Sequence, residues 1–338
     1  MKLSRKGFIL LGILLTLVLT VAAVVFQTVR PPKTEETPIV SDGLTVAAQG
    51  KENGLSVPKR KQDFFTILFI GRDKVGLNTD VLMLMAYDIA NGKVSLMSIP
   101  RDTMTDVKRK NKKINSAYAH DGKGDLEELM SEIQSIVGFR PDFHLLVSID
   151  GFVKLIDAIG GVTMDVPIDM YYSDPGQDLT IDLKKGERTL SGYDAMGLMR
   201  FRASYARGDL DRIEMQHKFI DAFLDKLVTP KTLPKIPELA EILVQNVKTD
   251  LTAGNFVWMA KKALELDLSE DFHLFTLPGE AGYYEQRSYF IAYEDETLDL
   301  INAHFNPYVD PISDLDHPHV KLSNGTYSDQ LDKEETKQ

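Results

Sequence analysis

Between Gly7 and Thr28 the chain carries no charged side chain and is dense in Leu, Val and Ile. At about 1.5 Å of rise per residue, a helix of that length spans the roughly 30 Å hydrocarbon layer of a membrane. Whatever else folds must then fold on one side of that layer. Lys2, Arg5 and Lys6 precede the run, while Arg30 and Lys33 beyond it are followed by Glu35 and Glu36. Positive charge ahead of a first apolar helix favours a cytoplasmic amino terminus. The expectation is a cytoplasmic stub over residues 1–6, a transmembrane anchor over 7–28, and a single-pass cell-membrane protein with the remainder extracytoplasmic. A cleaved signal peptide is the alternative, with Val21-Ala22-Ala23 as its small-residue site. Such peptides have apolar regions of only about 7–15 residues, which favours the retained anchor.

The 338 residues include no cysteine, so no disulfide braces the chain and no thiol does chemistry. An outward-facing chain without disulfides suits a Gram-positive-type envelope. The net charge of −11 argues against a general nucleic-acid binder, which wants a basic surface. It leaves room for a local basic cleft.

Residues 29–62 are polar, rich in Pro, Gly, Thr and Glu, and read as a flexible linker. From Asp63 the pattern changes. Phe64–Ile70, Val81–Tyr87 and Lys93–Ile99 are strand-length apolar runs, the last two joined by a turn at Asn91-Gly92. A helix over Gly124–Val137, a strand over Phe143–Ile149, a helix over Gly151–Ile159 and a strand over Val162–Val166 follow. Helices over Asp209–Val228, Asn255–Leu266 and Thr297–Phe305, and a strand over Phe272–Leu277, complete the set. Alternation of this kind predicts a three-layer α-β-α domain with a mixed central sheet over residues 63–310. A polar, disordered tail is expected over 311–338.

Three constellations carry chemistry. Asp209, Arg212 and Gln216 share one face of a helix, ahead of Ile213, Ile220, Phe223, Leu224 and Leu227. A stripe that begins polar and turns apolar suggests a cleft at that end. Arg200 and Arg202 stand two apart; in an extended segment both point to one side, where an anion between them would relieve their repulsion. A surface charge run paired to Asp209 is the plain alternative. Upstream, Arg101 leaves the end of a strand within Ser98-Ile99-Pro100-Arg101-Asp102-Thr103, and Lys113 follows in Lys113-Ile114-Asn115-Ser116-Ala117-Tyr118. Loops at strand ends are where α/β sheets hold ligands, so Arg101 is a candidate anion ligand; a helix cap or loop ion pair is the plain alternative. Lys108-Arg109-Lys110 and Lys112 read as a solvated loop face that would meet anionic lipid at most. Third, Asp73 and Asp80 at adjacent strand ends could share a Mg2+ ion, which takes one or two carboxylates with phosphate oxygens and water; two unrelated loop aspartates are the plain alternative.

In their order and spacing these pieces resemble the LytR-CpsA-Psr family. The pieces are Phe69-Ile70-Gly71-Arg72-Asp73, Thr79-Asp80-Val81-Leu82-Met83, the Ser98–Thr103 and Lys113–Tyr118 runs, Ile159-Gly160-Gly161-Val162, Arg200-Phe201-Arg202, Asp209 through Arg212 to Gln216, and Thr276-Leu277-Pro278-Gly279. The resemblance implies a phosphotransferase that moves a wall glycopolymer, such as teichoic acid or capsular polysaccharide, from an undecaprenyl-pyrophosphate carrier to peptidoglycan. It implies that Arg101, Lys113, Arg200, Arg202, Arg212 and Gln216 hold the pyrophosphate. Asp73 and Asp80 would bind Mg2+, with Mn2+ the alternative; Asp73, Arg101 and Asp209 would be catalytic; and the lipid tail would lie in an apolar pocket of the α/β core. Partners would be the polyprenyl-linked glycan, peptidoglycan and the membrane, with no nucleic acid. Met215 and His217 depart from the pattern, standing where Arg and Gln are common. Hydrolysis of the same pyrophosphate, or non-catalytic binding of envelope lipids, are the alternative functions.

Overall fold

The computed structural model describes residues 29–34, 51–52, 55–56, 58–72, 78–120, 122–177, 179–201, 205, 209–227, 229 and 231–315. The expected anchor over 7–28 lies outside them. Among the described residues no helix is long and apolar enough to cross a membrane.

The domain opens with β1 (Phe64–Arg72), β2 (Thr79–Asp88) and β3 (Lys93–Ser98), an antiparallel meander. Helix α1 (Leu126–Val137) follows. The Asp125 carboxylate accepts from the Glu128 N–H at its start, and left-handed Gly138, at φ 78°, ends it. Strand β4 (Phe143–Val147) lies parallel to β1. The strand expected to reach Ile149 stops early because Ser148 caps helix α2 (Ile149–Ala158), accepting from the Gly151 N–H. Next come β5 (Val162–Val166), β6 (Met170–Asp174), β7 (Leu179–Leu183), β8 (Gly186–Leu190), α3 (Gly192–Arg200) and α4 (Asp209–Leu227). The chain continues through α5 (Ile236–Asn246), β9 (Val247–Thr249), α6 (Ala253–Ala263), β10 (Phe272–Thr276), the hairpin β11 (Gly279–Tyr284) and β12 (Arg287–Ala292), and α7 (Glu294–Leu300).

The central sheet has six strands in the order β9-β4-β1-β2-β3-β10. β10 joins β3 in parallel, and β9 joins β4 antiparallel. Period-two alternation sorts the side chains. Leu68, Ile70, Leu82, Leu84 and Met97 pack with Ile133 and Ile136 of α1 and with Phe305. Phe65, Ile67, Phe143 and Leu145 point the other way, against Trp258 and Met259 of α6. The sheet is therefore mixed and covered on both faces, as expected.

The structure departs from the sequence reading in several places. β5 pairs with β8 in a two-stranded ladder apart from the central sheet, and with β6, β7, α2, α3 and α4 builds a second apolar core around Ile156, Val162, Ile181, Leu198 and Phe219. Arg200 ends a helix and does not sit in an extended strand; the Ser191–Asp194 capping box starts that helix. Ile312 and Leu315, placed in a polar tail by composition, are buried in the main core. At the other end of the domain, Arg60 of the expected linker donates to Asp142 at 2.7 Å.

Candidate functional site

The carboxyl end of β3 and the start of β2 are neighbours in the sheet, so the segments leaving and entering them meet. Arg101, three residues beyond β3, donates Nη1 to Asp80 Oδ1 at 2.9 Å. Asp102 stands beside Arg101, and its Oδ2 lies 3.1 Å from Lys113 Nζ. That ammonium also sits 5.8 Å over the Tyr289 ring of β12. Arg212, in the first turn of α4, reaches across with Nη2 3.5 Å from the Asp80 carbonyl oxygen. Gln216, one turn on, donates to the Met199 carbonyl at 3.1 Å and so ties α4 to the end of α3, where Arg200 is the next residue. Arg212 and Gln216 are 4% and 3% exposed. Asp80, Ser98, Arg101, Arg212 and Gln216 line one cavity of about 10 Å3.

Of the residues singled out in the sequence, the structure gathers Asp80, Arg101, Arg212, Gln216 and Lys113; Arg200 follows Met199 at the end of α3, with its guanidinium 4.0 Å from the Met196 sulfur. Asp73, Arg202 and the side chain of Asp209 lie outside the described residues. The cavity has room for about one water. It is smaller than a diphosphate headgroup, and the volume expected for a lipid tail in the α/β core is not open at it.

The chemistry on offer is recognition of a phosphate-type anion. Guanidinium forks match phosphate oxygens in pairs. A small, water-poor cavity strengthens each such contact relative to water. Among the described residues no three His, Asp or Glu side chains gather as a metal site. Among the described residues Asp80 lines the cavity with its carboxylate, and the Asp102 carboxylate beside it is paired to Lys113. That donor set fits a divalent ion shared with a bound phosphate, and not one held by the protein alone.

Sequence reasoning missed two features. Arg109 is not on a solvated face: its guanidinium makes a paired, buried ion bridge with Glu132 of α1, with Nη2 to Oε2 at 2.7 Å. It also donates to the carbonyls of Asn111 and Lys113, which fixes the loop that carries Lys113. Glu132 accepts from Thr105 as well, at 2.6 Å. The second feature is a 2.9 Å hydrogen bond between Ser98 Oγ and His217 Nε2 beside the cavity. Burial lowers the His217 pKa, with Glu214 pulling it the other way. A helix-face plot of α4 places His217 next to Gln216 but says nothing of Ser98.

Fold and site together define an α/β domain, helices on both faces of a mixed sheet, with an arginine-lined cavity at its strand ends. Residues 38–306 match the model of the LytR_cpsA_psr family, and the chain belongs to that family. It is 31% identical over 216 residues to the polyisoprenyl-teichoic acid–peptidoglycan teichoic acid transferase TagV of Bacillus subtilis (strain 168), covering 60% of this chain and 54% of TagV. It is 32% identical over 200 residues to the regulatory protein MsrR of Staphylococcus aureus (strain COL), covering 57% of this chain and 58% of MsrR. The chain thus spans little more than half the length of these curated relatives. The crystal structure of B. subtilis TagV superposes with a TM-score of 0.60 at 26% identity, over 71% of this chain and 95% of that one.

Proposed function

We propose that this chain is a glycopolymer phosphotransferase that moves a wall glycan from a polyprenyl-pyrophosphate carrier to peptidoglycan, at the outer face of a membrane in which residues 7–28 anchor it. The observation that carries the reading is the convergence of Arg101, Arg212 and Gln216 on one small cavity beside Asp80. The kinship to a teichoic acid transferase supports the substrate class.

In this reading the two guanidiniums, with Gln216, hold the pyrophosphate, and Arg200, Arg202 and Lys113 would join them in binding it. Asp80, with Asp73, would hold Mg2+, which when bound neutralises phosphate charge. An acceptor hydroxyl oxygen bonds to the phosphorus nearest the sugar. The bond from that phosphorus to the bridging oxygen breaks, and polyprenyl phosphate leaves. The hydroxyl proton passes to a carboxylate, Asp73 or Asp209. Positioning and charge neutralisation supply the rate, as in other phosphoryl transfers.

The test incubates the full-length chain with a labelled polyprenyl-pyrophosphate glycan, with and without peptidoglycan. Label should pass to peptidoglycan, and Arg101→Ala and Arg212→Ala should abolish the transfer. Release of glycan phosphate into water at the same rate without acceptor identifies a hydrolase instead. Full transfer by both variants contradicts the assignment.

A further inference from the structure

Ser98 closes β3, is 2% exposed, and lines the cavity with Arg101 and Arg212. Its hydroxyl lies 2.9 Å from Nε2 of His217, the residue after Gln216 on α4. The two halves of the site come from separate elements: Arg101 from the segment leaving β3, Arg212 and Gln216 from α4. Their separation decides whether one anion can touch both. Gln216 is hydrogen-bonded to α3, not to the sheet. The Arg212 contact to the Asp80 carbonyl is long, at 3.5 Å, where hydrogen bonds weaken. The Ser98–His217 bond is tighter, and it joins α4 directly to the strand end from which Arg101 departs. A neutral imidazole presents one donor and one acceptor nitrogen, so it suits a hydroxyl without adding charge to the cluster. A group held one ångström out of place loses much of its effect on a bound anion or a reacting atom.

We propose that His217 is a positioning residue: through Ser98 it locks α4 against the end of β3, so that Arg212 and Gln216 close on the same anion as Arg101. This rests on the reading of the cluster as a pyrophosphate site. The test measures affinity for farnesyl pyrophosphate and the melting temperature, with the full-length chain in detergent. Wild type is compared with His217→Ala, His217→Gln, Ser98→Ala and the Ser98→Ala/His217→Ala double variant. Wild type should bind; each alanine variant should bind about 10-fold more weakly; and the double variant should bind no more weakly than either single one, because both remove the same bond. His217→Gln, whose amide can also bond the hydroxyl, should recover most of the affinity. Should His217→Ala fail to fold, Ser98→Ala probes the same bond from the other side. Unchanged affinity in the folded alanine variants, a lowered melting temperature alone, or additive losses in the double variant overturns the proposal while leaving the anion site standing. A wild-type chain that does not bind farnesyl pyrophosphate overturns both.

Discussion

Arg212 is 4% exposed, and its guanidinium lies against the backbone of Asp80, whose carboxylate Arg101 already engages. A diphosphate bridging the two side chains would accept from both guanidiniums at once. Hydrogen bonds to charged groups are worth about 1.5–3 kcal/mol each. Replacing Arg212 by Lys keeps the charge and removes the planar fork. Arg212→Lys should therefore weaken farnesyl pyrophosphate binding by about 10- to 100-fold in a calorimetric titration. An equal affinity would mean that Arg212 supplies bulk charge only. Arg109 and Glu132 make a different case. Burial pushes the Glu132 carboxyl up, while Arg109 and Thr105 hold it down by hydrogen bonding. Arg109→Met strands that carboxylate and should cost about 3–5 kcal/mol in urea unfolding. Arg109→Met combined with Glu132→Leu should regain most of the loss. At this scale the sequence was partly legible. Arg101, Arg212 and Gln216 declared themselves by residue type and by position at a strand end or on a helix face. Arg109 did not, because a basic run looks the same whether one member turns inward or all face water, and its partner lies 23 residues away.

The helices that carry the site are pinned by short local signals. Ser191 and Asp194 form the capping box of α3 although Gly192 and Gly197 weaken its intrinsic propensity. Gly192 is there for space: a Cβ on it would lie 2.2 Å from the Val153 carbonyl oxygen of α2. Gly192→Ala must push α3 off α2 and should cost about 1–3 kcal/mol in denaturant unfolding, the range for overpacked contacts. Stability equal to wild type would show that α3 does not dock so closely. The central strands were legible because Phe64–Ile70 and Val81–Tyr87 are long and apolar on both faces. In the second core the strand Val162–Val166 was legible but β6, β7 and β8 were not: β7 is five residues long, and its Leu179, Ile181 and Leu183 alternate with Thr180 and Asp182, so the exposed half reads as loop. The hairpin β11–β12 hid for a related reason: its turn uses Glu285 and Gln286 at φ 46° and 61°, left-handed positions where glycine or asparagine is the usual signal.

For the whole domain, part of the pH dependence follows from the half-buried imidazole of His304. Burial lowers the His304 pKa, and His273 and Lys93 lower it further. The unfolded chain takes up that proton first as pH falls through the ordinary value of 6.5. Stability is therefore lost from about pH 6.5 downward until the folded pKa is reached. His304→Gln should flatten the decline of melting temperature between about pH 6.5 and 5 relative to wild type. An unchanged slope would assign the decline to other groups. Comparing the two proteins cancels the opposite contribution of Asp142, whose pKa burial raises, so that the folded state takes up its proton first.

The layered sheet, the second core and the arginine site make one account only if a diphosphate seats where Arg101 and Arg212 meet. A crystal structure of the chain with farnesyl pyrophosphate measures that directly. The diphosphate oxygens should lie within about 3 Å of the guanidinium nitrogens of Arg101 and Arg212 and near the Gln216 amide. A diphosphate bound on another face, with Arg101 still paired to Asp80, would contradict it.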